Sequence, residues 1–172
     1  MLRTPVKLSG LACVPSIGKR VRFRQNGRPR IRMPRNPVPD STDPIARFLA
    51  SPAFGVVGAS PRRHKYGNKV LRCYQQADRR AIPVNPRETE IEGAPCVASV
   101  LELPDDVKSI SVITPPAVTE RVVQEAIRKG IENVWMQPGA ESEASVEACR
   151  EAGINVIADG SCVLVVLGYR ER

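Results

Sequence analysis

A chain of 172 residues, 42% hydrophobic and 26% charged, is long enough for one globular domain with a full core and too short for two ordinary ones. Its 4% aromatic content argues against base-stacking or carbohydrate-platform functions, and no apolar run reaches the roughly 18 to 20 residues that cross a bilayer. The net charge of +8 is localised: ten basic residues and no acid precede Asp40, leaving sixteen basic residues against all eighteen acids in the remainder.

Residues 1–39 read as a basic, disordered extension without a core of its own. Pro5, Pro15, Pro29, Pro34, Pro37 and Pro39 interrupt any long helix, and the repeated arginines repel one another. An Arg-rich, acid-free start is typical of a mitochondrial transit peptide. A nucleic-acid-binding arm and an inert extension are the alternatives. Five cysteines, Cys13, Cys73, Cys96, Cys149 and Cys162, are odd in number and widely spaced, and His64 is the only histidine. Neither a disulfide framework nor a zinc site is expected, and reduced thiols are.

The domain, residues 40–172, opens at Asp40-Ser41-Thr42-Asp43-Pro44, with an N-cap and proline at N1 for a short helix carrying Ile45, Phe48 and Leu49. A strand is expected over Phe54–Ala59, then a helix over Asn68–Ala77 and a strand over Arg79–Val84, in which Pro83 implies weak pairing. Ile91-Glu92-Gly93 reads as an extended loop tip and Val97–Leu103 as a short helix. Val107–Thr114 is the third strand. Thr114 as cap and Pro115 at N1 start a helix with Val118, Val122, Val123, Ala126 and Ile127 inward, an outward Arg121–Glu125–Lys129 charge series, and Gly130 as its stop. Ile131–Met136 is a strand, Ser142–Ala152 a helix and Ile154–Ala158 the fifth strand, while Cys162–Leu167 fits strand or buried helix equally.

Strand and helix alternate throughout, with connections long enough for right-handed crossovers. The fold class is α/β: a Rossmann-like three-layer fold around a five-stranded, mostly parallel sheet. Ligands of such sheets sit at the carboxyl ends of the strands. Four ends carry small or conformationally fixed residues: Gly58-Ala59-Ser60-Pro61, Asn85-Pro86, Thr114-Pro115-Pro116 and Gln137-Pro138-Gly139. The first leads through Arg62-Arg63-His64-Lys65 into a helix, an arrangement suited to phosphate because backbone N–H groups are approachable and cations lie close. Ser60 lacks the second glycine of a G-x-S-x-G elbow, and Cys162, near Asp159, reads as an unreactive buried cysteine, with a reactive thiol as the alternative. A NAD site places an acid at the end of the second strand, where this chain has Val84-Asn85-Pro86, and the glycines do not form G-x-G-x-x-G.

The segments Val56-Val57-Gly58-Ala59-Ser60, Tyr66-Gly67-Asn68-Lys69-Val70-Leu71-Arg72, Ile82-Pro83-Val84-Asn85-Pro86, Ile113-Thr114-Pro115-Pro116 and Val134-Trp135-Met136-Gln137-Pro138-Gly139-Ala140 resemble, in this order, those of the CoA-binding domain family. That fold is shared with the N-terminal domain of the succinyl-CoA synthetase α subunit. The resemblance implies CoA or an acyl-CoA across the strand ends. Gly58, Ala59, Ser60, Pro61 and Lys65 would hold phosphates, Asn85, Pro86, Thr114, Pro115 and Pro116 would flank nucleotide and pantetheine, and Gln137, Pro138 and Gly139 would line the far side. The synthetase reacts through a phosphorylated histidine in a separate domain, and His64 lies elsewhere, so the resemblance carries binding and not ligation. A small-molecule nucleotide is thus the expected partner, in a possible homodimer, with no membrane and no nucleic acid. The alternatives are a NAD(H)-linked enzyme or redox sensor on the same fold, or a nucleic-acid-associated protein acting through the basic tail.

Overall fold

The computed structural model describes residues 42–171, so the expected transit segment over residues 1–39 lies outside the described residues. Asp43 caps the first helix, α1 (Pro44–Leu49), by accepting the Ile45 N–H at 3.0 Å, with Pro44 where no amide donor is needed. The chain then alternates through β1 (Ala53–Val57), α2 (Tyr66–Gln76), β2 (Arg80–Val84), a hairpin of β3 (Glu90–Ile91) and β4 (Ala94–Pro95), and a 3-10 turn at Val100–Glu102. The second half comprises β5 (Ser109–Val112), α3 (Pro116–Lys129), β6 (Asn133–Met136), α4 (Glu143–Glu151), β7 (Asn155–Ile157) and α5 (Val163–Val166).

The five strands β2-β1-β5-β6-β7 form one wholly parallel sheet in that order. Its two faces carry separate cores. On one, Val100, Leu103, Val122, Val123, Ala126 and Cys149 from the 3-10 turn, α3 and α4 cover Ile110, Val112 and Val134. On the other, Phe48 of α1, Val70, Leu71 and Tyr74 of α2, and Val163 of α5 cover Phe54, Val56 and Trp135. Burial on both sides explains why β1, β5 and β6 are enclosed along their whole length. Two polar groups of the core are paired: the Tyr74 and Ser111 hydroxyls lie 2.7 Å apart, and the Trp135 Nε1–H donates to the Ser161 carbonyl at 3.1 Å. Asn155 Nδ2 donates to the Pro44 carbonyl at 2.9 Å and to Asn133 Oδ1 at 3.0 Å, tying α1 to the far edge of the sheet.

Several local expectations need correction. Pro83 sits in regular register opposite Val56, on the edge strand. Its carbonyl accepts the Val97 N–H from the outer side at 3.1 Å, so the missing proline donor also faces outward and costs no bond to β1. The same pairing holds Val97 extended beside β2, leaving only the 3-10 turn of the expected Val97–Leu103 helix. Glu92 and Gly93 are not an extended tip: both have positive φ, 50° and 75°, and they close the β3–β4 hairpin as a two-residue turn. Helix α3 starts one residue late, with Pro115 at the cap position and Pro116 first in the helix, because the Thr114 hydroxyl pairs with that of Thr119 at 2.9 Å.

The thiols of Cys73 and Cys149, 1% and 0% exposed, are pushed up by burial to about 11 from the ordinary 9.0. The folded state therefore retains protons there that the unfolded chain loses, and stability falls as pH rises above about 9. Melting temperature is expected to drop between pH 9 and 11, less steeply in Cys149→Ala. Equal slopes in the two proteins would refute this origin.

Candidate functional site

In a doubly wound sheet a crevice opens where successive connections leave to opposite faces. Here β1 leads into α2 on one face, and its neighbour β5 leads into α3 on the other. A cavity of about 590 Å³ lies at this point, within the range typical of small-molecule sites. Its floor is the end of β1 and the Gly58–Ser60 turn, one wall is Asn85–Arg87 with Ala98–Val100, and the other is Thr114 with the Val118, Arg121, Val122 and Glu125 face of α3.

The turn after β1 is shaped by two glycines. Gly58 adopts φ +88°, which favours a residue without Cβ. A Cβ on Gly67 would lie 2.1 Å from the Gly58 carbonyl oxygen, so only glycine lets α2 pack this closely on the strand end. Two asparagines then fix the turn. Asn85 Nδ2 donates to the Ala59 carbonyl at 2.7 Å, and Asn68 Nδ2 donates to the Ser60 carbonyl at 2.8 Å. With those carbonyls engaged, the N–H groups of Ala59 and Ser60 meet no acceptor among the described residues. The turn thus brings two uncommitted backbone donors to the cavity lining, an arrangement suited to an anion.

Charge around the crevice is divided. Arg87 and Arg121 are exposed on opposite walls, and neither makes an ion pair among the described residues. Arg63 pairs with Glu92 at 3.4 Å, and Glu92 also accepts from Asn68 Nδ2 at 3.0 Å, so the hairpin tip braces the start of α2. Glu125 Oε2 accepts the Val100 N–H at 3.2 Å and anchors the 3-10 turn to α3. Ser60 Oγ accepts the Arg62 N–H at 3.2 Å, a local turn bond, and no histidine partner stands beside it among the described hydrogen bonds.

Of the residues singled out from sequence, Gly58, Ala59, Ser60, Asn85, Pro86 and Thr114 come together around the cavity. Pro61 and Lys65 are exposed in the following loop, and Pro115 and Pro116 are exposed at the start of α3. Pro138 and Gly139 are exposed beyond β6, where the Gly139 N–H donates to Glu141 Oε2 at 2.7 Å. Gln137 is only 1% exposed. Its Oε1 accepts the Val163 N–H at 2.9 Å and the Tyr66 hydroxyl at 3.4 Å, binding β6 to α5 and α2. Sequence reasoning missed Arg87, Ala98, Ser99, Val100 and the inward roles of Arg121 and Glu125. The expected outward charge series does not form as one face, since Lys129 instead pairs with Asp105 at 2.7 Å. Cys162 also differs from expectation: it is half-buried, with its Sγ 2.7 Å from the Tyr66 hydroxyl. No group of three or more candidate metal ligands occurs among the described residues.

A sequence profile described as "CoA binding domain" matches residues 53–167. The chain is 32% identical over 106 residues to an ADP-forming acetate–CoA ligase I of Archaeoglobus fulgidus, covering 62% of this chain and 16% of the ligase. An uncharacterized Bacillus subtilis protein, YneT, is 28% identical over 109 residues, covering 63% of this chain and 81% of its own length. Among solved structures, a conserved hypothetical protein from Pyrococcus furiosus superposes with TM-score 0.64 at 40% identity, covering 66% of this chain and 97% of that one. The dinucleotide-forming acetyl-coenzyme A synthetase 1 of Candidatus Korarchaeum cryptofilum gives TM-score 0.59 at 25% identity, covering 65% of this chain and 27% of the synthetase. The matched region is thus a small part of the ligases and nearly the whole of the short proteins.

Proposed function

The chain belongs to the CoA-binding domain family, and from that premise we propose that it binds CoA or an acyl-CoA in the crevice between β1 and β5 as a non-catalytic module. The observation that carries this reading is the Gly58–Ser60 turn, whose carbonyls are held back by Asn85 and Asn68 while the Ala59 and Ser60 amides stay open. A pyrophosphate placed there takes charge-assisted hydrogen bonds without any rearrangement of the turn. Val100, Val118 and Val122 offer an apolar wall for an adenine ring, and Arg87 and Arg121 stand where further phosphate charge is met. The residues present therefore fit the ligand. CoA supplies a thiol on a long arm, and the protein's part is to bind and orient it.

A NAD(H)-linked role on the same fold is the second reading. Against it, β2 ends in Val84-Asn85-Pro86 with no carboxylate for ribose hydroxyls. Asn85 is moreover occupied, donating to the Ala59 carbonyl and accepting the Arg87 N–H at 2.9 Å. Thermal unfolding with CoA, acetyl-CoA and NADH separates the readings. CoA is expected to raise the melting temperature in a dose-dependent way and NADH to do so less. No response to millimolar CoA, or a larger one to NADH, rejects the CoA assignment. The mitochondrial address of residues 1–39 stands as a further proposal, which an extramitochondrial full-length chain in fractionated cells would overturn.

A further inference from the structure

Outside the lining of the crevice, on the sheet face that α2 and α5 cover, Tyr66 of α2, Gln137 just after β6 and Cys162 just before α5 meet in a polar cluster. The Gln137 amide is oriented by the backbone, because its Oε1 accepts the Val163 N–H at 2.9 Å and a flipped amide would oppose donor to donor. Its Nε2 is left buried, in a residue 1% exposed, and meets no acceptor among the described residues. A buried donor fixed in this way is costly and asks for an acceptor that the protein does not supply. The Tyr66 hydroxyl links the two side chains, lying 3.4 Å from Gln137 Oε1 and 2.7 Å from Cys162 Sγ. Of the other described thiols, Cys73 and Cys149 are buried, while Cys96 is half-buried like Cys162 but donates toward the Asn85 and Val97 carbonyls at 3.7 and 3.6 Å.

Distance links this cluster to the crevice. Gln137 follows β6, two strands from β1, so the lateral separation from the Gly58–Ser60 turn is on the order of 10 Å. A pantetheine arm has about as many chain atoms as four residues of backbone, on the order of 14 Å extended. Its two amide carbonyls are acceptors of the kind Gln137 Nε2 lacks.

Resting on the CoA-binding reading above, we propose that Cys162 is a thiol-exchange site for disulfides of CoA, with Gln137 and Tyr66 positioning the arm. The Cys162 thiolate, its proton released to solvent, attacks one sulfur of a CoA disulfide. An Sγ–S bond forms, the ligand's S–S bond breaks, and the departing CoA thiolate takes a proton from water. The product is a mixed disulfide between Cys162 and CoA, and no further oxidant is consumed. Excess CoA or another thiol reverses the step.

The test incubates the full chain with CoA disulfide or with cystamine, a disulfide of the same terminal thiol without the nucleotide, and follows adducts by intact mass and peptide mapping. The expected result is an adduct on Cys162 that forms with saturable kinetics, roughly ten-fold or more faster with CoA disulfide than with cystamine at low concentration. Cys162→Ser is expected to abolish it. Equal rates with the two disulfides, or CoA adducts confined to other cysteines, overturn the proposal. A CoA-dependent melting shift without a Cys162 adduct overturns the exchange site and leaves CoA binding standing. Absence of both the shift and the adduct overturns both.

Discussion

Replacing Gly67 with alanine is expected to destabilise the domain by about 3 kcal/mol or more, a large share of the roughly 5 to 15 kcal/mol by which such domains are stable. The added Cβ would stand 2.1 Å from the Gly58 carbonyl oxygen and 3.2 Å from the Ala59 Cα, both backbone atoms that no rotamer change can move. The helix must tilt away from the strand, or the turn must open. Gly139 provides the comparison, because a Cβ there meets nothing within 4 Å although φ is +91°. Gly139→Ala is expected to lose only about 1 to 2 kcal/mol, the cost of the backbone conformation itself. Chemical denaturation of both variants measures the difference. Similar losses would mean that the close approach of α2 to the turn is not what requires glycine.

The second large effect concerns the ligand. Reversing charge at both walls of the crevice, in Arg87→Glu with Arg121→Glu, is expected to weaken CoA binding on the order of 100-fold, from two charge-assisted contacts of about 1.5 kcal/mol each. Both side chains are exposed and free of ion pairs among the described residues, so the melting temperature without ligand should hardly change. Calorimetric titration of variant and parent checks this, and the parent's affinity should fall with added salt. A double variant that binds CoA as tightly as the parent would remove the crevice from consideration as the phosphate site.

The layers of this fold were legible because its signals are local. The β-branched Ile110 and Val112 of β5, the Val134-Trp135-Met136 run of β6 and the apolar spacing of α3 with Gly130 behind it each bear on one element at a time. The two-residue strands of the hairpin are too short to have a period, and only the positive φ of Glu92 and Gly93 reveals their turn. The start of α3 was ambiguous because two successive prolines both suit a first helical position, and the partner that decides it, Thr119, lies inside the helix.

The site was legible at the β1 turn and poorly elsewhere. An i, i+4 charge series looks the same whether it faces bulk water or a crevice, and Arg121 and Glu125 differ from Lys129 only because the Val97–Glu102 segment folds over one stretch of α3. Gln137 stands at a strand end, as ligand contacts do, yet its amide is taken up by Val163, 26 residues later. Nothing local to 137–139 announces that bond.

The Asn155–Pro44 hydrogen bond joins residues 111 apart in the chain, and the Cys162–Tyr66 contact joins residues 96 apart. The first helix of the domain is therefore closed by one of its last strands, and central β1 waits for β5 before its second edge is covered. Such long-range closure makes folding slow relative to a helical protein of the same size, since chain entropy is lost before the contacts that repay it form. During synthesis, the apolar faces of Phe48 and Phe54 are made early and find Trp135 only after most of the domain has left the ribosome. Over that interval the nascent chain presents sticky, half-finished surface, and the burden of keeping it from aggregating falls on whatever meets it there.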